Sequence, residues 1–295
     1  MTKLSTTTAI IAALACSAGA LYWTYGPGSA ARVSKASQPV LGSTPPAIPH
    51  KSSFAASPAP SNAAELKERS ASSDAATPFH AGEVLEFAAD VAKLSNVANL
   101  RLAIVDRQNF FGKNAWHLQA FAHTENPLRM MFELDDQFDS YSDAATLSSL
   151  QYEMHLNERG EKQESIQRMS TTGREGTVPN ATQTRVVPGT RDPLGLMQYL
   201  RMVDWEKVRE VRSPVYDGHK LYDVRASYAG TAESIAVPAG TFSASKIDIR
   251  VFDDGLEMKD AHVTLYLASN PARTPVLLEA VMPFATARVA LVKMK

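Results

Sequence analysis

A chain of 295 residues, 44% hydrophobic and 21% charged with a formal net charge of −1, has room for one large or two small domains and is neither fibrous nor wholly disordered. Thirty basic residues against thirty-one acidic ones create no field that would hold the chain on nucleic acid, because backbone binding needs clustered Lys and Arg to displace counterions. The single cysteine, Cys16, lies in the N-terminal apolar stretch, so the rest of the chain can form no internal disulfide, no cysteine-ligated zinc site and no thiol nucleophile.

Met1 to Lys3 is a short basic start, and Ala9 to Tyr25 is an uncharged apolar run that Gly26 and Pro27 break. The pattern is that of an export signal, with small residues suited to cleavage after Ala20, Ala30 or Ala31. Residues 4–25 also reach across about 30 Å of hydrocarbon as one helix, so an uncleaved inner-membrane anchor is the competing reading. A lipoprotein signal ending at Cys16 is a third, although Leu14 sits one place from the position such signals favour. Residues 1–30 are therefore assigned to a signal peptide or anchor.

Residues 31–78 continue a Pro, Ser and Ala composition that begins at Pro27; from there to Pro78 the chain has eight prolines, eleven serines and twelve alanines. Such a stretch cannot bury enough apolar surface to offset ordering entropy and reads as an extended tether. Its formal charge is +2, which leaves −4 for residues 79–295, the expected periplasmic domain.

From Phe79 the dominant signal is period two in short blocks separated by turn residues, the pattern of half-buried antiparallel strands. Trp116, Leu118, Ala120 and Ala122 share one face opposite His117, Gln119 and His123; Tyr222, Val224, Ala226 and Tyr228 oppose Leu221, Asp223, Arg225 and Ser227. The Asp254-Gly255 pair predicts a type I′ hairpin joining Ser245–Phe252 to Glu257–Leu267. Further strands are expected at 84–92, 100–106, 130–134, 150–156, 163–169, 184–187, 207–212, 233–237, 275–281 and 285–293. One helix stands out: Asp192 caps it, Pro193 opens it, and Leu196, Met197, Leu200 and Val203 recur at helical spacing. The expected fold is mainly β, a large bent antiparallel sheet or half-closed barrel with one covering α-helix, and Gly173 to Val178 as a loop between its halves.

Four groups of residues carry a resemblance: Phe79-His80-Ala81-Gly82-Glu83-Val84-Leu85-Glu86-Phe87; Asp192-Pro193-Leu194 running to Tyr199-Leu200-Arg201; Val237-Pro238-Ala239-Gly240-Thr241-Phe242; and Leu265 to Ser269 followed by Arg273-Thr274-Pro275-Val276. In this order they resemble the bacterial envelope family known as domain of unknown function 3108. The chain departs from that family's usual tryptophan and acidic residue with Tyr266 and Asn270. The resemblance implies an exported, sheet-rich domain similar to the half-barrels of lipoprotein carriers, and it implies no activity.

Candidate chemistry is sparse. Asp135, Asp136 and Asp139, like Asp253 and Asp254, are expected at turns, where Asp is favoured by local hydrogen bonding. His117 and His123 lie roughly 20 Å apart on one strand and cannot share a metal. Arg191, Arg201, Arg225, Lys246 and Arg250 are either a basic lining for an anionic headgroup or a solvated, salt-bridged face. No phosphate loop, dinucleotide fingerprint or nucleophile elbow is present, and no cofactor or metal is expected. The first reading is a noncatalytic periplasmic binding or carrier module for a lipid-like ligand, held by Leu196, Met197, Leu200, Val203, Tyr222, Val224, Arg225 and Arg250. The second is a structural envelope protein that binds other proteins, and the third is a hydrolase using Asp135, Asp139 or His117.

Overall fold

The computed structural model describes residues 77–172, 180–259, 261–281 and 286–295. The export segment, the tether up to residue 76 and the loop at Gly173 to Val178 lie outside the described residues. Within them the chain forms β1 (Val84–Val91), β2 (Leu94–Phe110), β3 (Lys113–Thr124), helix α1 (Leu128–Met131), β4 (Asp135–Asp143), β5 (Ser149–Glu158), β6 (Glu161–Ser170) and β7 (Thr182–Arg185). Helix α2 (Pro193–Met202) follows, then β8 (Glu210–Tyr216), β9 (Leu221–Val237), β10 (Gly240–Asp253), β11 (Leu256–Glu257), β12 (His262–Ala268), β13 (Pro275–Val281) and β14 (Thr286–Met294).

All fourteen strands belong to one sheet, in the order β7-β6-β5-β4-β3-β2-β1-β14-β13-β12-β10-β9-β8, with β11 beside β10. Two meandering arms therefore meet where β1 pairs with β14, Phe87 opposite Leu291. The pairings are antiparallel except that β7 runs parallel to β6, so the sheet is mixed where an all-antiparallel one was expected. Its two edges, β7 and β8, do not pair as strands. The segment before α2 instead hydrogen-bonds to β5 on one side and to the edge strand β8 on the other: Ser149 N–H donates to the Thr190 carbonyl at 2.9 Å, Arg191 N–H to Pro214 at 3.0 Å, and Tyr216 N–H to Arg191 at 2.8 Å. The result is a bent sheet that stops short of barrel closure.

One face of the sheet is apolar, as alternation requires of a half-buried sheet. Leu100, Leu102, Trp116, Leu118, Tyr222, Val224, Ile247, Val263, Leu278 and Val289 all enter a single core, and α2 lies within it. The Asp254-Gly255 turn has positive φ at both residues, 48° and 80°, as the type I′ geometry demands. Only two residues of the following strand pair there, Phe252 with Glu257 and Asp253 with Leu256, before the chain resumes at β12.

Three local expectations change. Residues 130–134 were expected as a strand; Leu128 to Met131 instead form α1, whose Met130 and Met131 both face solvent, so this apolar pair serves no sheet face. Asp135 to Asp139, expected at a turn, lie in β4, and its inward residues Asp136, Ser140 and Ser142 are buried polar groups that hide the period from a hydrophobicity pattern. The blocks at 221–228 and 233–237 are one strand of 17 residues, β9.

Candidate functional site

Helix α2 is the centre of the molecule's interior. Pro193 to Gln198, Leu200 and Arg201 are all buried, which goes beyond the one-sided burial of an ordinary surface helix. The predicted residues Leu196, Met197, Leu200 and Val203 enter the same core as Tyr222 and Val224. The structure does not bring Arg225 and Arg250 to them. Arg225 stacks its guanidinium on Phe252 at 4.7 Å and faces Glu210, and Arg250 pairs with Asp248 at 2.8 Å and Glu257 at 3.5 Å. Both belong to the outer face, so the lipid-headgroup lining imagined from five basic residues does not assemble.

Polar groups are concentrated at the two ends of α2. At its N-terminus the Asp192 carboxylate accepts from Gly195 N–H at 2.9 Å, from Ser140 Oγ at 2.6 Å and from Ser149 Oγ, while Asp192 N–H donates to Ser149 Oγ at 2.6 Å. Full burial raises the Asp192 carboxyl above its ordinary range against the pull of these donors. At the C-terminus the Arg273 guanidinium donates to the carbonyls of Arg201, Met202 and Val203, each at 3.0 Å, and Trp205 Nε1 donates to Leu200 at 2.9 Å. The carbonyls that a helix end leaves unpaired are thereby satisfied inside the protein.

Arg201 is wholly buried and grips Glu83 in a bidentate pair, Nη1 to Oε1 at 2.6 Å and Nη2 to Oε2 at 3.0 Å. Its remaining donors reach Gln198 at 2.9 Å and the Ala272 carbonyl at 2.9 and 3.2 Å. Arg191 is placed against the Tyr199 ring, 3.6 Å from its centroid, and donates to Ser213 Oγ at 3.0 Å and the Thr146 carbonyl at 2.8 Å. Glu83, Asp192, Arg201 and Arg273, scattered over three of the four sequence groups singled out above, thus converge on one helix. Sequence reasoning gave Asp192 its cap role. It named Arg201 only within a possible basic lining and did not foresee its pairing with Glu83, because a buried ion pair between residues 118 apart leaves no local spacing to read.

Close packing backs this polar clamp. A Cβ added to Gly195 would lie 2.9 Å from Ser142 Oγ and 3.0 Å from the Leu147 carbonyl oxygen, inside normal contact. Gly195→Ala should lower the unfolding free energy by roughly 1–3 kcal/mol, the cost of overpacking, although alanine is the better helix former. Thermal unfolding of the two proteins checks this, and a higher midpoint for the alanine variant would refute the close approach of α2 to β4.

The third reading's residues lie on the opposite, outer face. His117 Nε2 hydrogen-bonds Asp139 Oδ1 at 2.7 Å, and Gln119 and Gln137 add donors to the same carboxylate at 2.9 and 2.6 Å. These three bonds hold the Asp139 carboxyl below the ordinary range although burial opposes them. Asp135 is bound separately, by Arg129 and His123. A His-Asp pair of this kind orients an imidazole, but among the described residues no hydroxyl nucleophile is hydrogen-bonded to that imidazole. Among the described residues no group of three or more His, Cys, Asp or Glu side chains is arranged to hold a metal ion.

The sequence profile of the family described as "Protein of unknown function (DUF3108)" matches residues 92–292. No curated protein matches the chain. Among solved structures, the chain is similar to a β-barrel-like protein of domain of unknown function DUF1849 from Brucella abortus, at 11% identity and a TM-score of 0.46 over 73% of this chain and 97% of that one. It is also similar to a "putative lipoprotein" from Parabacteroides distasonis, at 13% identity and a TM-score of 0.34 over 73% and 95% of the two chains. A "putative exported protein with YmcC-like fold" from Bacteroides fragilis gives 12% identity and a TM-score of 0.31 over 74% and 97%.

Proposed function

The chain belongs to the DUF3108 family, and we propose that its folded part is a noncatalytic, exported binding or carrier module whose interior takes a hydrophobic, lipid-like ligand in exchange for the apolar side of α2. The observation that carries this reading is the division of labour along the helix. Its directional bonds are gathered at its two ends, and its body rests on Leu196, Met197 and Leu200 in the core. Apolar contacts are non-directional and scale with area removed from water, so an acyl chain can replace them at little net cost. The ligand residues are Leu196, Met197, Leu200, Val203, Tyr222 and Val224, which the fold gathers into the core; Arg225 and Arg250 are left out because their partners hold them outside. The sequence of residues 1–30, read as a signal peptide or inner-membrane anchor, supports export, with the periplasm as the compartment this reading takes.

A specific observation favours the second reading, a structural protein that binds other envelope proteins. The turns at one rim of the sheet carry exposed apolar side chains: Leu94 after β1, Met130 and Met131 in α1, Leu256 after β10 and Val281 at the end of β13, with Met130 83% exposed. Apolar tips of this kind are common contact points in interfaces.

Native mass spectra of the full chain, purified from the envelope fraction in mild detergent and recorded before and after organic extraction, separate the two. A bound lipid mass that Leu200→Asp removes supports the carrier. A lipid-free chain bound to a second protein, lost on Met130→Asp with Leu256→Asp, supports the scaffold and overturns the carrier.

A further inference from the structure

Alternating strand direction sorts the turns into two ends of the sheet. The residues before β1, the β2–β3 turn, the segment before β8 and the end of β14 lie at one end; the β1–β2 turn, α1 and the β10–β11 turn lie at the other. The two ends differ in what flanks their exposed apolar side chains.

At the first end every such tip has basic company. Val208 stands between Lys207 and Arg209, Met294 between Lys293 and Lys295, and Phe111 two places before Lys113, all of them exposed. Acidic neighbours are partly neutralised there: Lys207 binds Asp204 at 2.7 Å and Arg212 binds Glu210 at 3.2 Å. At the second end the balance reverses. Leu256 lies between Asp254 and Glu257, and Arg129, the basic neighbour of Met130 and Met131, is taken up by Glu133 at 2.6 Å and Asp135 at 2.9 Å. Only Leu94, beside Lys93, departs from that pattern.

Phe111 is the least comfortable of the three tips. It is 64% exposed and has a φ of +49°, followed by Gly112 at +82°. Positive φ at both central residues is type I′ geometry, whose first position favours Asn, Asp or Gly. A phenylalanine there is strained and forgoes the burial that would offset the strain. Strain of this kind persists where a contact makes use of it.

We propose that this first end of the sheet docks on a bilayer with anionic headgroups. The apolar tips enter the headgroup boundary while the flanking Lys and Arg stay among the lipid phosphates, the pairing that holds interfacial segments on membranes. The layout of the chain favours a membrane over a soluble acidic partner. The stretch read as a tether, residues 31–78, runs into the fold at Phe79, at this same end. With residues 4–25 as the anchor, a tether of that length has a reach of roughly 40 Å. The effective concentration of the domain at the bilayer is then of millimolar order, and a weak surface is enough. Helix α2 is fastened at this end too, by Asp192 on Ser149 where β5 starts, by Arg201 on Glu83, and by Arg273 in the β12–β13 turn. A lipid would therefore pass from the bilayer to the core beside α2; that step rests on the carrier reading, and the docking does not.

The test uses the full chain on vesicles of phosphatidylcholine, alone or with an equal part of phosphatidylglycerol. In a Cys16→Ala background an environment-sensitive fluorophore is attached at Met294→Cys or at Leu256→Cys, one at each end of the sheet. With phosphatidylglycerol the label at position 294 should brighten several-fold and be quenched by headgroup spin-labelled lipid, and the label at 256 should do neither. High salt should reduce the response at 294 several-fold by screening, and Lys207→Glu with Arg209→Glu should reduce it tenfold at an unchanged thermal midpoint. Flotation of the same samples separates docking from anchoring: a chain that brightens at 294 and leaves the vesicles in high salt is docked without an anchor, which supports the proposal and removes the anchor reading. A chain that stays on the vesicles with position 294 dark, that responds equally to both lipids or at both positions, or that never binds, overturns the proposal.

Discussion

Arg201→Met should cost roughly 3–5 kcal/mol of unfolding free energy, the usual penalty for leaving one member of a buried ion pair uncompensated. Arg201 has no exposed side-chain surface, and its removal strands the Glu83 carboxylate together with the Gln198 and Ala272 oxygens it now serves. The loss should appear as a lower urea midpoint at unchanged m-value, since the surface exposed on unfolding stays the same. Adding Glu83→Gln should recover part of it, because the stranded charge goes with it; the double-mutant cycle then gives the coupling directly. A loss below about 1 kcal/mol would mean that the pair stabilises α2 no more than a surface salt bridge does.

Asp136 gives the second large effect, and its sign depends on pH. Its side chain points into the core side of β4. Burial, opposed by one hydrogen bond from Asn157 N–H at 2.9 Å and reinforced by Glu158 and Asp135, pushes its carboxyl up to about 7. Glu158, on the neighbouring strand, is raised by burial as well. A carboxyl raised in the folded state binds its proton more tightly there than in the unfolded chain. Its contribution to stability is therefore intact at pH 4 and is lost as pH climbs towards the folded value. Asp136→Asn keeps the acceptor for Asn157 and removes the charge. The variant should match the parent near pH 4 and exceed it increasingly from about pH 5 to pH 8, reaching about 4 kcal/mol by the usual conversion of a three-unit shift. Urea unfolding of both proteins across that range is the check, and the difference between them is the quantity to plot, because Asp135, Asp139 and Asp248, whose carboxyls are lowered, act in the opposite direction. A difference independent of pH would show that Asp136 is already charged at no penalty.

What the sequence disclosed follows from how local each signal is. Period two exposed β3 and the first half of β9, because Trp116, Leu118, Ala120 and Ala122, and Tyr222, Val224 and Ala226, face inward opposite mostly polar residues. The cap and stripe of α2 were readable from Asp192, Pro193 and Leu196 to Val203. β4 was not, since Asp136, Ser140 and Ser142 face inward; Asp136 and Ser140 are satisfied by partners 21 and 52 residues away, Asn157 and Asp192, and Ser142 by Ser140. The same limit separates the site residues. Leu196, Met197, Leu200, Tyr222 and Val224 go where apolar side chains at those periods must go. Arg225 and Arg250 share the strands of the core but point out of it, and only the register shows which of their acidic neighbours they meet. The edge arrangement was also out of reach, because a parallel pairing of four residues, β6 with β7, carries no sequence mark that distinguishes it from an antiparallel one.

The central position of β1 and β14 imposes an order on biogenesis. The first of the described strands has the last of them as its neighbour, so a polypeptide synthesised or threaded from its N-terminus displays the open edge of β1 until residues 286–294 emerge. Arm by arm, β2 to β6 can zip onto β1 through nearest-neighbour hairpins, but the other side of that strand waits with its amides and carbonyls unpaired, a template for any passing extended segment. Loss of the nine residues of β14 would not trim an edge; it would split the sheet down its middle. The molecule is in this sense a length gauge: its sheet is joined only when β14 has arrived.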